Sequence, residues 1–380
     1  MLKLLHTADW HVGKEFRQFD TEVSRKLARD RVAVIEQIMG RARQYNVDAV
    51  LCAGDLFDNP DPGEQWWRAV SDVFAKLDTS DWNRPVVLLP GNHDPLTQNS
   101  IYATSHPFRR ELPDWVHVVD HDDFELELNS NAVVYATPCH SQAGDNDLAL
   151  GLPERTEGDD RVRIGLVHGT TFDMPGYETN FPVSADAPQR RGLDYLAIGD
   201  THSFREVNET SPAPIVYPSA PEPTRFGEDD AGFVAIVTFR RRGSRPRIQQ
   251  ERVARWTWRN VIIDTLEGLR SFAQENLQST IVRLTLALTV TERESEEVEQ
   301  VVRMLRGTEA VSARTGGLIT DQSQLHITMD DSDPLDADLP LTILDTTELL
   351  QKQAELPEGR EQEVAQRAMK ILRRLLREIR

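Results

Sequence analysis

Five short stretches of this 380-residue chain concentrate side chains that could hold a cation: Asp9-x-His11, Gly54-Asp55-x-x-Asp58, Gly91-Asn92-His93-Asp94, His168-Gly169 and Gly199-Asp200-x-His202. Carboxylates, an amide oxygen and imidazoles together suit hard-to-borderline divalent metals. No cysteine lies in any of the five, which argues against a structural zinc. Each stretch follows a short apolar run, such as Val86-Val87-Leu88-Leu89 before Gly91 or Leu196-Ala197-Ile198 before Gly199. In α/β sheets ligands gather at the carboxyl ends of strands, so five such ends imply one shared pocket.

The elements that must position these residues follow from periodicity. Residues 23–45 carry Val23, Leu27, Val34, Ile35, Ile38 and Ala42 near helical spacing, with charges between them. The next run, Ala49-Val50-Leu51-Cys52, is wholly apolar, as expected of a strand covered on both faces. Strand, helix and strand in that order indicate a βαβ unit. A turn-rich Asn59-Pro60-Asp61-Pro62-Gly63 leads into a helix over 64–77 whose Trp66 and Trp67 call for core packing or a homodimer contact. A further helix is expected over 100–112. Strict alternation in Phe124-Glu125-Leu126-Glu127-Leu128, followed by Ala132 to Tyr135, predicts an antiparallel hairpin. Shorter strands are expected at 193–198, 215–217, 232–239 and 247–253.

Past Trp256-Thr257-Trp258 the pattern becomes strand (261–264), helix (268–277), strand (280–290), helix (294–305), strand (310–314), which reads as a compact second α/β domain. Residues 330–334, Asp-Asp-Ser-Asp-Pro, read as a linker, and helices over 342–353 and 361–379 close the chain. The last would turn Val364, Ala368, Leu372, Leu375, Leu376 and Ile379 to one side. The expected division is a first domain over 1–255, a second over 256–330 and a tail over 331–380, since one core rarely serves a chain this long.

The two cysteines, Cys52 and Cys139, cannot build a disulfide framework. No apolar run is long enough to span a bilayer, and no signal-peptide core precedes the first strand, so the expectation is a cytoplasmic protein without a membrane partner. A net charge of −19 works against unassisted attraction to DNA. It does not exclude a nuclease, because bound cations change the field at a carboxylate-rich site. Basic clusters occur at Arg240-Arg241-Arg242 with Arg245 and Arg247, and at Arg373-Arg374 with Arg377 and Arg380. Solvated arginines on a hairpin and a helix explain these equally well. His6, His106, His117, His121 and His326 read as packing or surface residues, His140 as a residue of the pocket rim or of the surface, and Cys52 as a small buried hydrophobe.

Taken in order, the five motifs resemble the calcineurin-like metallophosphoesterase superfamily. The opening His6-Thr7-Ala8-Asp9-Trp10-His11-Val12-Gly13, the segment Tyr217-Pro218-Ser219-Ala220-Pro221-Glu222-Pro223 and the trailing second domain are similar to SbcD-type nuclease subunits of SbcC/SbcD DNA-processing complexes. That resemblance implies an α/β fold of two packed mixed β-sheets flanked by helices, a smaller α/β capping domain and a helical tail. It also implies a two-metal pocket, with Asp9, His11, Asp55 and His202 on one ion and Asp55, Asn92, His168 and Asp200 on the other. Two cations about 3.5–4 Å apart can activate water and stabilise charge on a phosphodiester.

His93 would then face the scissile phosphate, stabilising the transition state or protonating the leaving oxygen. Asp58 and Asp94 would orient the metal-binding groups, or else serve turn and cap chemistry. One position departs from the pattern: where many SbcD-like chains carry Gly-His-x-His, this chain has Gly199-Asp200-Thr201-His202. A carboxylate there favours manganese, or magnesium, over softer metals. The resemblance further implies DNA as substrate, an SbcC-like ABC-type ATPase as partner and a homodimer. The rival readings are a phosphodiesterase for nucleotides or other small phosphoesters, and a noncatalytic scaffold that binds an ATPase. Coordinating side chains at every expected ligand position count against the scaffold. The chain has no Gly-x-x-x-x-Gly-Lys-Ser/Thr phosphate loop, so ATP-driven action would need another protein.

Overall fold

The computed structural model describes residues 1–77, 82–129, 131–172, 179–307, 314–328, 340–354 and 359–378. The chain forms two compact units, one of residues 1–261 with 276–283 and 313–319, the other of 262–275, 284–312 and 320–380.

In chain order, the first unit begins β1 (Leu2–Thr7), α1 (Thr21–Tyr45), β2 (Ala49–Cys52), α2 (Glu64–Ala75), β3 (Val86–Leu88), α3 (Pro107–Glu111) and β4 (Val116–Val118). It continues through β5 (Phe124–Asn129), β6 (Ala132–Ala136), β7 (Val162–His168), α4 (Ala187–Arg191), β8 (Tyr195–Gly199), β9 (Arg205–Val207), β10 (Ile215–Tyr217), β11 (Phe233–Phe239) and β12 (Arg247–Arg252). Two six-stranded mixed sheets result, ordered β12-β11-β1-β2-β3-β4 and β5-β6-β7-β8-β10-β9. Within them β1, β2, β3 and β4 run parallel, as do β6, β7, β8 and β10. The expected hairpin is the antiparallel β5–β6 pair at the edge of the second sheet.

Why these runs are apolar throughout, rather than alternating, is visible residue by residue. Leu4, Leu51, Val87, Ile164, Tyr195 and Ala197 fill the layer between the sheets. Their neighbours Leu5, Val50, Cys52, Val86 and Leu88 face outward and pack with Ile35, Ile38 and Met39 of α1 and with Trp67, Val70 and Phe74 of α2. On the other side Val167, Leu196 and Ile198 pack under Leu148, Leu152 and Phe181. Strands covered on both faces need no polar alternation. His6 shares the inner face of β1, where its Nδ1 meets the Tyr195 hydroxyl at 2.9 Å, and burial lowers its pKa to about 3. Trp67 is buried and Trp66 half-buried against the same cluster, so core packing accounts for the pair. Cys52 and Cys139 are free and buried.

The helix expected over 100–112 is corrected to the single turn of α3. Its start is set by Pro107 at the first helical position, with His106 as cap accepting from the Phe108 amide. A residue before proline is disfavoured in helical geometry, which stops the helix from extending backwards.

Further along lie β13 (Thr257–Ile263), α5 (Leu266–Phe272), β14 (Thr280–Leu286), β15 (Thr289–Thr291), α6 (Glu292–Arg306), β16 (Gly317–Asp321), β17 (His326–Thr328), α7 (Leu341–Ala354) and α8 (Arg360–Glu378). The strand expected over 280–290 is two strands, β14 and β15, separated by Ala287 and Leu288. Helix α6 opens with a reciprocal capping box between Thr291 and Glu294. The strand expected over 310–314 lies outside the described residues except for Arg314, and so does the linker at 330–334. Strands β16 and β17 were not anticipated. In the second unit α7 and α8 pack together. Ala365 and Met369, one turn apart on α8, are buried, while Val364 and Ile371 are exposed. Within this unit α8 thus buries Ala365 and Met369, while Val364 of the expected apolar stripe stays exposed.

Candidate metal centre

Each of the five motifs sits where a strand ends, and the strands come from both sheets. Asp9 and His11 follow β1, Asp55 follows β2, Asn92 and His93 follow β3, His168 ends β7, and Asp200 and His202 follow β8. Backbone pairing continues past the strand ends. The Asp9 amide donates to Gly54 O and the His11 amide to Asp55 O, both at 3.0 Å, which binds the first two loops to each other. Asp9, His11, Asp55 and Asp200 have φ of 56°, 44°, 54° and 104°. Four non-glycine residues in this sparsely used region at one locus mark a site where backbone strain is tolerated. At Gly54 (φ +93°) a Cβ would collide with the His168 ring, and at Gly91 with the Asp55 carboxylate. Only glycine lets these side chains approach so closely.

Asp9, His11, Asp55 and His168 are buried and form the floor, whereas Asn92, His93, Asp200 and His202 are half-buried and form an open rim. Three overlapping groups have ligand atoms within 4.8 Å of one another: Asp9, His11 and His202; His11, Asp55 and His93; Asp9, Asp55 and His168. Asn92 Oδ1 lies 2.8 Å from His168 Nε2. Asp200 Oδ1 lies 3.8 Å from the same nitrogen, while its Oδ2 accepts from the Thr170 hydroxyl at 2.6 Å.

Burial and the neighbouring charges displace the carboxylates and imidazoles from their ordinary pKa values. Burial raises Asp9 to about 7, although His202 and His168 pull the other way. Burial would lower His168, but Asp55, Asp9 and Asp200 outweigh it and bring the ring to about 9. His11 is driven well below its usual value by burial. His11 Nε2 and His202 Nε2 stand 3.0 Å apart, while the Nδ1 atoms of both rings lie against carboxylates, Asp58 at 3.0 Å and Glu228 at 2.7 Å. Two lone pairs converging in this way fit a shared cation, and the oxygen-rich remainder of the donor set fits a hard one.

Asp58 accepts from His11 and from Lys14 Nζ at 3.1 Å, and its carbonyl lies 2.9 Å from His93 Nδ1. His93 Nε2 is thereby the nitrogen left for other work, and the His93 amide donates to Asp55 Oδ1 at 2.9 Å. Asp94 points away from the pocket. Its carboxylate accepts from the amides of Phe57 and Gly91, both at 2.8 Å, and from the Tyr102 hydroxyl at 2.6 Å, which locks the 91–94 loop onto the 55–58 loop. His140 is exposed, with its ring between Leu96 O and Asp122.

Sequence reasoning missed four supporting residues: Glu228 and Thr224 beside His202, Thr170 beside Asp200, and Arg31. Arg31, fully buried on α1, donates to the carbonyls of Trp10, Glu222 and Pro223 at 3.0–3.3 Å, joining the first motif to the segment after β10. The one available signal was the spacing of α1: Arg31 falls between the apolar positions Leu27 and Val34, on the face turned inward.

A family model described as calcineurin-like phosphoesterase matches residues 2–204. Among curated proteins, the chain is 24% identical over 243 residues to YhaO of Bacillus subtilis, an uncharacterized metallophosphoesterase, covering 62% of this chain and 57% of that protein. It is 30% identical over 126 residues to the SbcD subunit of the SbcCD nuclease of Bacillus subtilis, covering 30% of each chain. Against the SbcD subunit of the SbcCD nuclease of Rhodobacter capsulatus it is 32% identical over 172 residues, covering 41% of this chain and 40% of that one. The matches thus span between 30% and 57% of these relatives' lengths. Similar solved structures are TT1561 of Thermus thermophilus (TM-score 0.41, 13% identity, 66% of this chain and 99% of that chain) and a dimetal phosphatase from Danio rerio (TM-score 0.40, 12% identity, 66% and 98%).

Proposed function

The chain belongs to the calcineurin-like phosphoesterase family, and on that premise we propose that it is a metal-dependent phosphodiesterase acting on DNA, the nuclease subunit of an SbcC/SbcD-like assembly. The observation that carries the chemistry is the convergence of Asp9, Asp55, His11, His168 and His202 from both sheets into clusters within ligand reach. We assign Asp9, His11, Asp55 and His202 to one divalent ion and Asp55, Asn92, His168 and Asp200 to the other, with manganese, or magnesium, favoured by the oxygen donors. When bound, such ions supply positive charge for the phosphodiester and lower the pKa of water.

The residues of the chain do the rest. Asp55 spans both clusters and holds the His93 amide. His93 presents Nε2 at the open rim, where it can donate to a phosphate or leaving oxygen. Asp58 aims His11, and Asp94 keeps the His93 loop in register. Catalysis is assigned to residues 1–255, capping to 256–330, and partner binding to 331–380, with an SbcC-like ABC-type ATPase and a second copy of the chain as the partners. DNA as substrate is supported by partial likeness to two proteins named as nuclease subunits. The net charge of −19 favours a second reading, hydrolysis of small phosphoesters. Among the described residues no helix is long and apolar enough to cross a membrane.

Manganese-dependent digestion of labelled single-stranded DNA, double-stranded DNA and a small phosphodiester decides between the readings. The proposal expects cleavage of DNA; turnover confined to the small ester would replace it with the second reading, and no turnover of any substrate would reject both.

A further inference from the structure

Glu228 belongs to none of the motifs that point to the pocket, yet its side chain is 3% exposed. It sits in the loop between β10 and β11, and its carboxylate is heavily engaged. The Thr224 amide donates to Oε2 at 2.6 Å, the Arg225 amide to the same oxygen at 3.3 Å, and the Thr224 hydroxyl to Oε1 at 2.7 Å. The Arg225 side chain reaches Oε1 at 3.3 Å. The remaining capacity of Oε1 is directed at His202 Nδ1, 2.7 Å away. Thr224 Oγ1 stands 2.9 Å from the same nitrogen, and with its proton given to Glu228 it offers only a lone pair. Both neighbours of Nδ1 are therefore acceptors, so Nδ1 carries a proton and Nε2 faces the pocket.

We infer that Glu228 is a positioning residue for one of the two metal ions, acting through His202: it fixes the ring's tautomer and angle, and its negative charge makes the Nε2 lone pair a better donor. The inference rests on His202 being a ligand, as proposed above. A carboxylate behind a metal-binding imidazole commonly has this effect, and its loss lowers metal affinity about 10–100-fold. The pocket is uneven in this respect. His11 and His202 are backed by the carboxylates of Asp58 and Glu228, whereas His168 Nδ1 donates to a neutral peptide carbonyl, Ala53 O, at 2.8 Å. Removing Glu228 should accordingly weaken one ion and spare the other, which a general loss of structure would not do.

Calorimetric titration of the full chain with manganese alone tests this. Wild type takes up two ions. Glu228→Gln, which keeps the volume and an oxygen acceptor but drops the charge, retains one ion at wild-type affinity and loses about 10–100-fold on the other. His202→Ala shows the same one-ion pattern, and adding Glu228→Gln to it causes no further loss. Glu228→Asp, one methylene short of Nδ1, carries the same test should the glutamine variant fail to fold. Two ions bound at wild-type affinity in either Glu228 variant would overturn the inference, as would an additional loss in the double variant. A wild type that binds no manganese rejects the proposed function itself, and this inference with it, which is a separate and recognisable outcome.

Discussion

Asp55 places its two carboxylate oxygens between histidines of the two sheets: Oδ2 is 3.7 Å from His11 Nε2 and Oδ1 is 3.5 Å from His168 Nε2. On the proposed assignment its replacement by alanine removes the donor common to both ions, so Asp55→Ala should bind neither ion well and lose hydrolysis. Metal analysis that still finds two ions on the variant would contradict the bridging role. His93 is the contrasting case. It falls within ligand distance of His11 and Asp55, yet its Nδ1 is held by the Asp58 carbonyl and its ring stands on the rim. His93→Ala should keep both metals and bind DNA while turnover falls about 10²–10⁴-fold, the range of a positioned acid. Loss of metal together with turnover would make it a ligand instead. Asp200 brings a further carboxylate to the rim, 3.8 Å from His168 Nε2. Activity with manganese should exceed that with zinc, and Asp200→His should stay partly active with a changed metal preference. An Asp200→Ala protein unchanged in rate and metal affinity would remove Asp200 from the site.

Between elements, buried polar side chains tie the first motif to chain far away in sequence. Glu222 illustrates how: its carbonyl accepts from Arg31 of α1, and its carboxylate accepts from the amides of Arg255 at 2.6 Å and Trp256 at 3.2 Å, just before β13. Burial outweighs those donors and raises its pKa from 4.5 to about 7. Between these two values the unfolded chain has already lost the proton that the folded chain retains, so stability falls as pH rises through the window, by at most about 3 kcal/mol. Glu222→Gln cannot titrate. Urea unfolding with metal chelated should therefore show the variant gaining on wild type from pH 4.5 to 7, and a constant difference would disprove the buried-acid account. Such ties were also the part of the site that reading the sequence could not reach. Its presumed ligands follow strands with apolar runs, so Asp9, Asn92 or His202 can be picked out by local spacing alone. Glu228, Thr170 and Arg31 matter only because folding brings them to residues up to 192 positions distant, as for Arg31 and Pro223. The same limit explains the strands that were missed. β17 is exposed throughout and β9 has two half-buried polar positions, so neither leaves a hydrophobic signature.

At the scale of the whole chain, the open question is what the C-terminal helices are for. The terminal helix was expected to need a partner for its apolar stripe, and part of that need is met within the second unit, where Ala365 and Met369 are buried and α8 packs with α7. It is not met fully: Leu341 and Leu349 on α7 and Val364 and Ile371 on α8 are each more than half exposed. Exposed apolar side chains on paired helices suit a helical partner that lays its own apolar face against them. The proposed ATPase is the occupant that partial likeness to SbcD subunits of SbcCD nucleases supports. Truncation after Pro357 removes α8, and Val364 and Ile371 with it. Co-purification with the ATPase should then be lost, while metal-dependent cleavage of short DNA persists, because the proposed ligands all lie in the first unit. Thermal unfolding separates the alternatives. Loss of the main transition would mean that α8 serves chiefly to complete the fold, and tight ATPase binding by the truncated chain would place the interface elsewhere.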